Sequence, residues 1–259
     1  MINEILAISK EAGNIIMDVY NKISFFDDNV ITFKEKDHSP LTIADKDSHE
    51  IIVKGLCKLD KNIPVLSEES HFFFDSNWKN QKLYWLIDPL DGTKEFIKKI
   101  PEFTVNIALI YNNNPILGVI YVPFLDTFYY FFLEKSWKKV SNFKPKQIFV
   151  KKKKTHTVLL SRSHVDQNTY EYVDKNINKK YKIKKMGSSL KFCLIAEGKA
   201  QLYPRCNPVY KWDIAAGHAI IIGAGGHIQT FSGSVINYQL KNHNSILLNS
   251  GFIVSSYVL

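Results

Sequence analysis

The chain has 259 residues, 45% hydrophobic, 23% charged and 13% aromatic, which suits a globular protein with a large core and excludes disorder, collagen-like repeats and a disulfide mini-scaffold. No apolar run of about 18 residues occurs, and the leading MINEILAISKEAGNIIMDVY carries Glu4, Lys10, Glu11 and Asp18 where a signal sequence needs an apolar stretch. Cys57, Cys193 and Cys206 are too few and too scattered for a disulfide framework or a paired-cysteine metal site, so a reducing, cytoplasmic location is expected.

The net charge of +9 invites a nucleic-acid reading. Of 34 basic residues, however, only Arg162 and Arg205 are arginine, and runs such as Asn112-Asn113-Asn114 point to compositional drift toward AT-rich codons. Lysines added by drift settle on solvated faces. The lysine run 151–154 fits a linker or loop edge before the strand-like THTVLLS and needs no ligand. The chain also lacks the aromatic and basic interleaving that stacks bases, so no nucleic-acid partner is expected.

In chain order, residues 2–20 place Ile5, Leu6, Ala12, Ile15, Ile16 and Val19 near helical spacing. A short strand follows at 30–33, and Ser39-Pro40 predicts the start of a helix over 42–59. Apolar runs at 63–66, 84–87, 104–111, 116–122 and 127–132 predict strands of an antiparallel or mixed sheet, with turns at Asn113-Asn114-Pro115 and Pro123. Beyond the lysine run, strands at 156–161, 182–186 and 200–203 alternate with helices at 166–177, 188–197 and 211–223, an α/β layer. The composition shift near 145–155 divides the chain into an α+β half (1–150) and an α/β half (151–259), with a site expected at their junction.

The most informative segment is WLIDPLDGT, 85–93. A strand ends there in two acids separated by proline, followed by Gly-Thr opening a helix over 94–98. Such a turn can aim Asp88, Asp91 and the Leu90 carbonyl at one point, with the Gly92 and Thr93 N–H groups facing the same space. Hard oxygen donors suit Mg²⁺ and a helix start suits phosphate; an Asp-rich turn capping a helix explains the same string. LSEES (66–70) ends another strand in Glu68 and Glu69, Asp213 opens the helix after Trp212, and Asp45 lies in the second helix, where a solvated face or an N-cap would be the bland explanations.

Taken together, SPLTIAD (39–45), LSEES (66–70), WLIDPLDGTKEF (85–96), FTVNIAL (103–109) and WDIAAGHAI (212–220) resemble the inositol monophosphatase superfamily of Mg²⁺-dependent, lithium-sensitive phosphatases. SRSH (161–164) and GSSLKFCLIAEGKAQLYPR (187–205) are similar to its CysQ-type 3′(2′),5′-bisphosphate nucleotidases. The resemblance implies a layered αβαβα sandwich of α/β (α+β) class. It makes Glu68, Asp88, the Leu90 carbonyl, Asp91 and Asp213 ligands of two or three Mg²⁺ ions, with Glu69 a neighbour. It makes Asp45 and Thr93 the pair that orients and deprotonates the attacking water, and the Gly92 and Thr93 amides the phosphate cradle. No covalent phosphoenzyme is expected. Glu68, Leu90, Asp91, Gly92, Thr93 and Asp213 thus also surround the substrate.

The leaving-group pocket decides the substrate. Where inositol phosphatases offer an acid to the sugar hydroxyls, this chain has Tyr203-Pro204-Arg205, and arginine pairs with phosphate. The implied substrate is adenosine 3′,5′-bisphosphate, cleaved to AMP and phosphate, with its sulfated form PAPS a further candidate and an inositol monophosphatase the alternative. Ser188, Ser189 and Lys191 are expected at the ribose, base or second phosphate, and His164 near the base. Both arginines fall in motifs that would touch a nucleotide. His218 reads as a core histidine and Cys193 as core. Two departures from the family pattern stand out: an extra residue in 34–38, which leaves open whether Lys34 or Lys36 approaches the metals, and an unusual loop from Arg205 to Trp212. Nothing predicts an integral membrane segment. Peripheral association with the cytoplasmic face of the inner membrane stays open, as does oligomeric state.

Overall fold

A computed structural model of the chain describes residues 1–22, 33–34, 40–70, 78–151, 156–163, 167–176 and 181–257. In order the elements are α1 (Ile2–Lys22), β1 (Phe33–Lys34), β2 (Pro40–Leu41), α2 (Ile43–Leu59), β3 (Val65–Ser67), β4 (Leu83–Asp91), α3 (Thr93–Ile97), β5 (Thr104–Tyr111), β6 (Asn114–Val122), β7 (Thr127–Phe132), β8 (Lys135–Val140) and β9 (Lys146–Gln147). There follow β10 (His156–Ser161), α4 (Gln167–Asn176), β11 (Tyr181–Met186), α5 (Leu190–Ala196), β12 (Leu202–Arg205), β13 (Val209–Tyr210), α6 (Lys211–Gly223), β14 (His227–Gln229), β15 (Leu247–Leu248) and β16 (Phe252–Ser255).

The first sheet has seven strands in the order β3-β4-β5-β6-β7-β8-β9. Only β3 and β4 are parallel; the remaining neighbours are antiparallel, the mixed sheet the hairpin-like runs predict. Its central strands β4, β5 and β6 are apolar on both faces because both are covered. Trp85, Ile87, Val105 and Ile107 pack with Ile5, Ala12, Ile16 and Ile52 of α1 and α2, whereas Leu86, Ala108 and Ile110 pack with Ile195, Ala215 and Ile220 of α5 and α6.

The second sheet, β11-β10-β12-β16-β14, has β10 parallel to β11 and β12, with β16 antiparallel to β12 and β14. Val158, Leu160, Leu202 and Ile253 meet Val173 of α4 on one face. Leu159, Tyr203, Phe252 and Val254 turn to the central helices on the other. The layers therefore run helix, sheet, helix, sheet, helix, the αβαβα sandwich expected. α6 lies so close to the first sheet that a Cβ at Gly118 of β6 would sit 2.6 Å from the Ala216 carbonyl oxygen. Among the described residues, no helix is long and apolar enough to cross a membrane.

Helix α2 starts at 43, one residue after the predicted start, and from a different cap. Pro40 belongs to β2 and not to the first helical turn, and Ser39 lies outside the described residues, as do 30–32 of the expected early strand. The cap is Thr42, whose hydroxyl accepts from Ala44 N–H (3.2 Å) while its own N–H donates to Asp45 Oδ2 (2.8 Å), a reciprocal capping box.

Candidate active site

Parallel pairing of β3 with β4 brings two chain exits to the same sheet edge. Glu68, one residue beyond β3, donates its N–H to the Ile87 carbonyl (3.2 Å). The sequence predicts that the next strand stops before its acids, but β4 continues through Asp91 with a bulge: Asp88 faces Asn106 and Asp91 faces Thr104 across the ladder. Residues three apart on a regular strand point to opposite faces; one extra residue returns Asp88 and Asp91 to the same face. Pro89 occupies that irregularity, where its missing N–H costs no ladder bond.

Gly92 follows with φ +95°, and a Cβ there would sit 2.8 Å from the Glu102 carbonyl oxygen, so only glycine makes this turn without strain. It starts α3 at Thr93, one residue before the predicted helix. The Thr93 hydroxyl lies 3.1 Å from Asp45 Oδ1 and 3.2 Å from the Leu90 carbonyl oxygen. Asp45 is buried, and Thr42 occupies its Oδ2 through both N–H and hydroxyl, so Oδ1 faces Thr93. Burial pushes its carboxyl up to about 6 against those hydrogen bonds.

Asp213 arrives from the first turn of α6, where Tyr210 and not Asp213 occupies the cap position. Carboxylate oxygens of Glu68, Asp88 and Asp213 all lie within 4.8 Å of one another. Burial raises the Asp88 carboxyl well above the usual range, reinforced by Glu68, Asp91 and Asp213. Burial and the Asp213 and Glu69 charges do the same to Glu68. Asp213 is pushed up to about 7 by burial and Asp91, opposed by Arg205 and Lys191. Hard oxygen donors that repel one another at this spacing fit a divalent cation, which removes the repulsion.

These groups line one cleft of about 380 Å³ with Leu90, Asp91, Gly92, Ser188, Ser189, Lys191, Tyr203 and Arg205. Its far wall is not uniformly free for a ligand. The Ser189 N–H and hydroxyl lie 2.5 and 2.6 Å from Asp91 Oδ2. Buried Lys191 donates to the Ser188 (2.6 Å) and Met186 (3.2 Å) carbonyls. The Ser188 hydroxyl accepts from Leu190 N–H at 3.3 Å, a local bond at the start of α5. Arg205 is less fully engaged: its side chain bonds that of Tyr203 and Nη2 makes one long contact to the Pro208 carbonyl (3.4 Å), but its Nε is buried with no hydrogen-bond partner among the described residues.

The expectation that both arginines touch a nucleotide does not hold in this structure. Arg162 forms a two-pronged pair with Glu102 (2.8 and 2.7 Å) and is not among the cleft-lining residues. His164 and Lys36 lie outside the described residues, and for Lys34 only the backbone is described. Cys193 is core, and buried His218 pairs its Nδ1 with the Tyr238 hydroxyl at 3.0 Å. Sequence reasoning passed over Asn106, buried beside Asp91, and Ser48, which donates to the Pro89 carbonyl (2.8 Å). A polar residue inside the apolar run FTVNIAL was the available signal for the first.

The family model described as the inositol monophosphatase family matches residues 1–258. A "3′(2′),5′-bisphosphate nucleotidase CysQ" of Buchnera aphidicola is 46% identical over 258 residues, 99% of this chain and 94% of the relative. The protein of that name from Escherichia coli K12 is 42% identical over 257 residues, 99% and 100% of the two chains. Among solved structures, CysQ from Bacteroides thetaiotaomicron superposes with a TM-score of 0.80 at 35% identity, covering 99% of this chain and 98% of that one. An IMPase of Thermotoga maritima shares the fold, with TM-score 0.77 at 21% identity over 97% and 90% of the chains. From the end-to-end family match and the fold in common, the chain belongs to the inositol monophosphatase family.

Proposed function

We propose that the chain is an Mg²⁺-dependent 3′(2′),5′-bisphosphate nucleotidase that converts adenosine 3′,5′-bisphosphate to AMP and phosphate in the cytoplasm, with PAPS as a further substrate. The observation that carries this reading is the cleft itself: clustered carboxylates and, lining the same space, a half-buried arginine whose Nε has no hydrogen-bond partner among the described residues. Two phosphates on one small molecule match that pairing. End-to-end similarity to proteins named 3′(2′),5′-bisphosphate nucleotidase supports it.

In this reading Glu68, Asp88, Asp91, Asp213 and the Leu90 carbonyl hold two or three Mg²⁺ ions, which supply positive charge for the phosphoryl oxygens and acidify water. The protein's own groups do the rest. The Gly92 and Thr93 N–H groups, uncovered at the start of α3, receive phosphoryl oxygens. The Thr93 hydroxyl orients the attacking water and passes its proton to Asp45 Oδ1, 3.1 Å away. A carboxyl pushed up to about 6 can take and return a proton near neutrality. Arg205 binds the phosphate that is not cleaved.

Biologically this removes a by-product of sulfate assimilation or sulfotransfer. The test is kcat/KM for adenosine 3′,5′-bisphosphate against inositol 1-phosphate with Mg²⁺. The bisphosphate should be strongly preferred; preference for the inositol ester would replace this reading with an inositol monophosphatase.

A further inference from the structure

Among the described residues, side-chain hydrogen bonds hold the Asp91 carboxylate from one side only. Three donors converge on its Oδ2: the Ser189 N–H at 2.5 Å, the Ser189 hydroxyl at 2.6 Å and Asn106 Nδ2 at 3.4 Å. Asn106 Nδ2 also reaches Ser189 Oγ at 3.0 Å, and the Thr104 hydroxyl donates to Asn106 Oδ1 at 3.1 Å, fixing which face of the amide carries the N–H groups. Thr104, Asn106 and Ser189 are all buried.

Ser189 Oγ lies 2.8 Å from the Asp213 backbone carbonyl as well. A hydroxyl has one proton, and the carboxylate is the stronger acceptor. It therefore accepts from Asn106 and donates to Asp91, with the Asp213 carbonyl at the edge of the same bond. This chain of bonds begins in β5, crosses to the residue before α5 and ends at the first turn of α6, so it spans the elements that deliver Asp91 and Asp213.

We infer that Ser189 and Asn106 are positioning residues for Asp91, not contacts for the nucleotide. Saturating Oδ2 leaves Oδ1 as the oxygen offered to the cleft and fixes its direction. The inference rests on the proposed role of Asp91 as a cation ligand, and it removes Ser189 from the list of substrate contacts its sequence motif suggested.

The experiment titrates purified full-length protein, wild type and variants, with Mn²⁺ alone, read by electron paramagnetic resonance. Ser189→Ala and the near-isosteric Asn106→Leu should each weaken Mn²⁺ binding about tenfold to a hundredfold, as removal of groups that orient metal ligands does. Both should lower kcat for adenosine 3′,5′-bisphosphate and for a plain phosphomonoester alike. Thermal melting of the metal-free proteins identifies any variant that fails to fold, and the other variant then carries the test. Unchanged Mn²⁺ affinity, with KM raised for the bisphosphate alone, would overturn the inference and return Ser189 to the nucleotide. Because Mn²⁺ binding is read without substrate, a wild type that binds Mn²⁺ yet ignores the bisphosphate would count against the proposed function while leaving the positioning role standing.

Discussion

The Ser48 hydroxyl, buried in α2, donates to the Pro89 carbonyl at 2.8 Å and so fastens the helix that carries Asp45 to the bulge that carries Asp88 and Asp91. Ser48→Ala leaves that carbonyl unpaired in the interior, at a cost of about 1–3 kcal/mol. Urea denaturation should show the loss with an unchanged m-value. A variant as stable as wild type would mean that water or a backbone shift replaces the bond.

Asp45→Asn keeps an oxygen for the Thr42 cap and removes the proton acceptor. If Asp45 is the base, kcat should fall by on the order of 10²–10⁴ with KM little changed, and Thr93→Ala should fall in the same range. Steady-state kinetics on the bisphosphate check this, with melting temperatures confirming the fold. Retention of most of the activity in Asp45→Asn would remove it from the mechanism.

Arg205→Ala should separate two substrates that share the reacting phosphate. A charge-assisted bond contributes about 1.5–3 kcal/mol, which corresponds to a loss of roughly 10- to 150-fold in kcat/KM for the bisphosphate. Hydrolysis of a monophosphate lacking the second group should change far less. Equal losses on both would show that Arg205 supports the cleft and does not read a phosphate.

How much of this was legible in the sequence depends on the range of the interaction. The span of α6, the start of α2 near Thr42, though not its cap, and the acids at strand ends follow from local pattern and turn chemistry. The continuation of β4 through Pro89 does not, because proline signals a turn unless a partner strand absorbs it in a bulge, and that partner, β5, is visible only in the sheet. Arg162 and Arg205 look equivalent along the chain. Glu102, sixty residues from Arg162, claims one and leaves the other to the cleft. Ser189 shows the same limit, since its donors are directed at Asp91, 98 positions away.

Acid stability should carry the signature of His218. Burial drives its imidazole down to about 4 from 6.5, so the unfolded chain binds the extra proton between those values. Stability contributed by the neutral ring is therefore present above pH 6.5 and falls as pH drops toward 4, by about 1.4 kcal/mol per unit at most. His218→Asn should flatten that limb of a urea-denaturation series between pH 4.5 and 7. The same slope in wild type and variant would place the acid sensitivity elsewhere.

Helix α6 supplies Asp213 and also the inner cover of a sheet built wholly from earlier sequence. A chain still being synthesised thus carries Asp45, Glu68, Asp88, Asp91 and Thr93 long before it can seal the face beneath them, and its apolar strands stay exposed meanwhile. With Asp213 as a cation ligand, the proposed site is complete only once α6 has left the ribosome and docked, so a chain truncated before α6 should gather the other carboxylates without phosphatase activity. The same order of events makes the interval before α6 emerges the period in which a chaperone would be needed most.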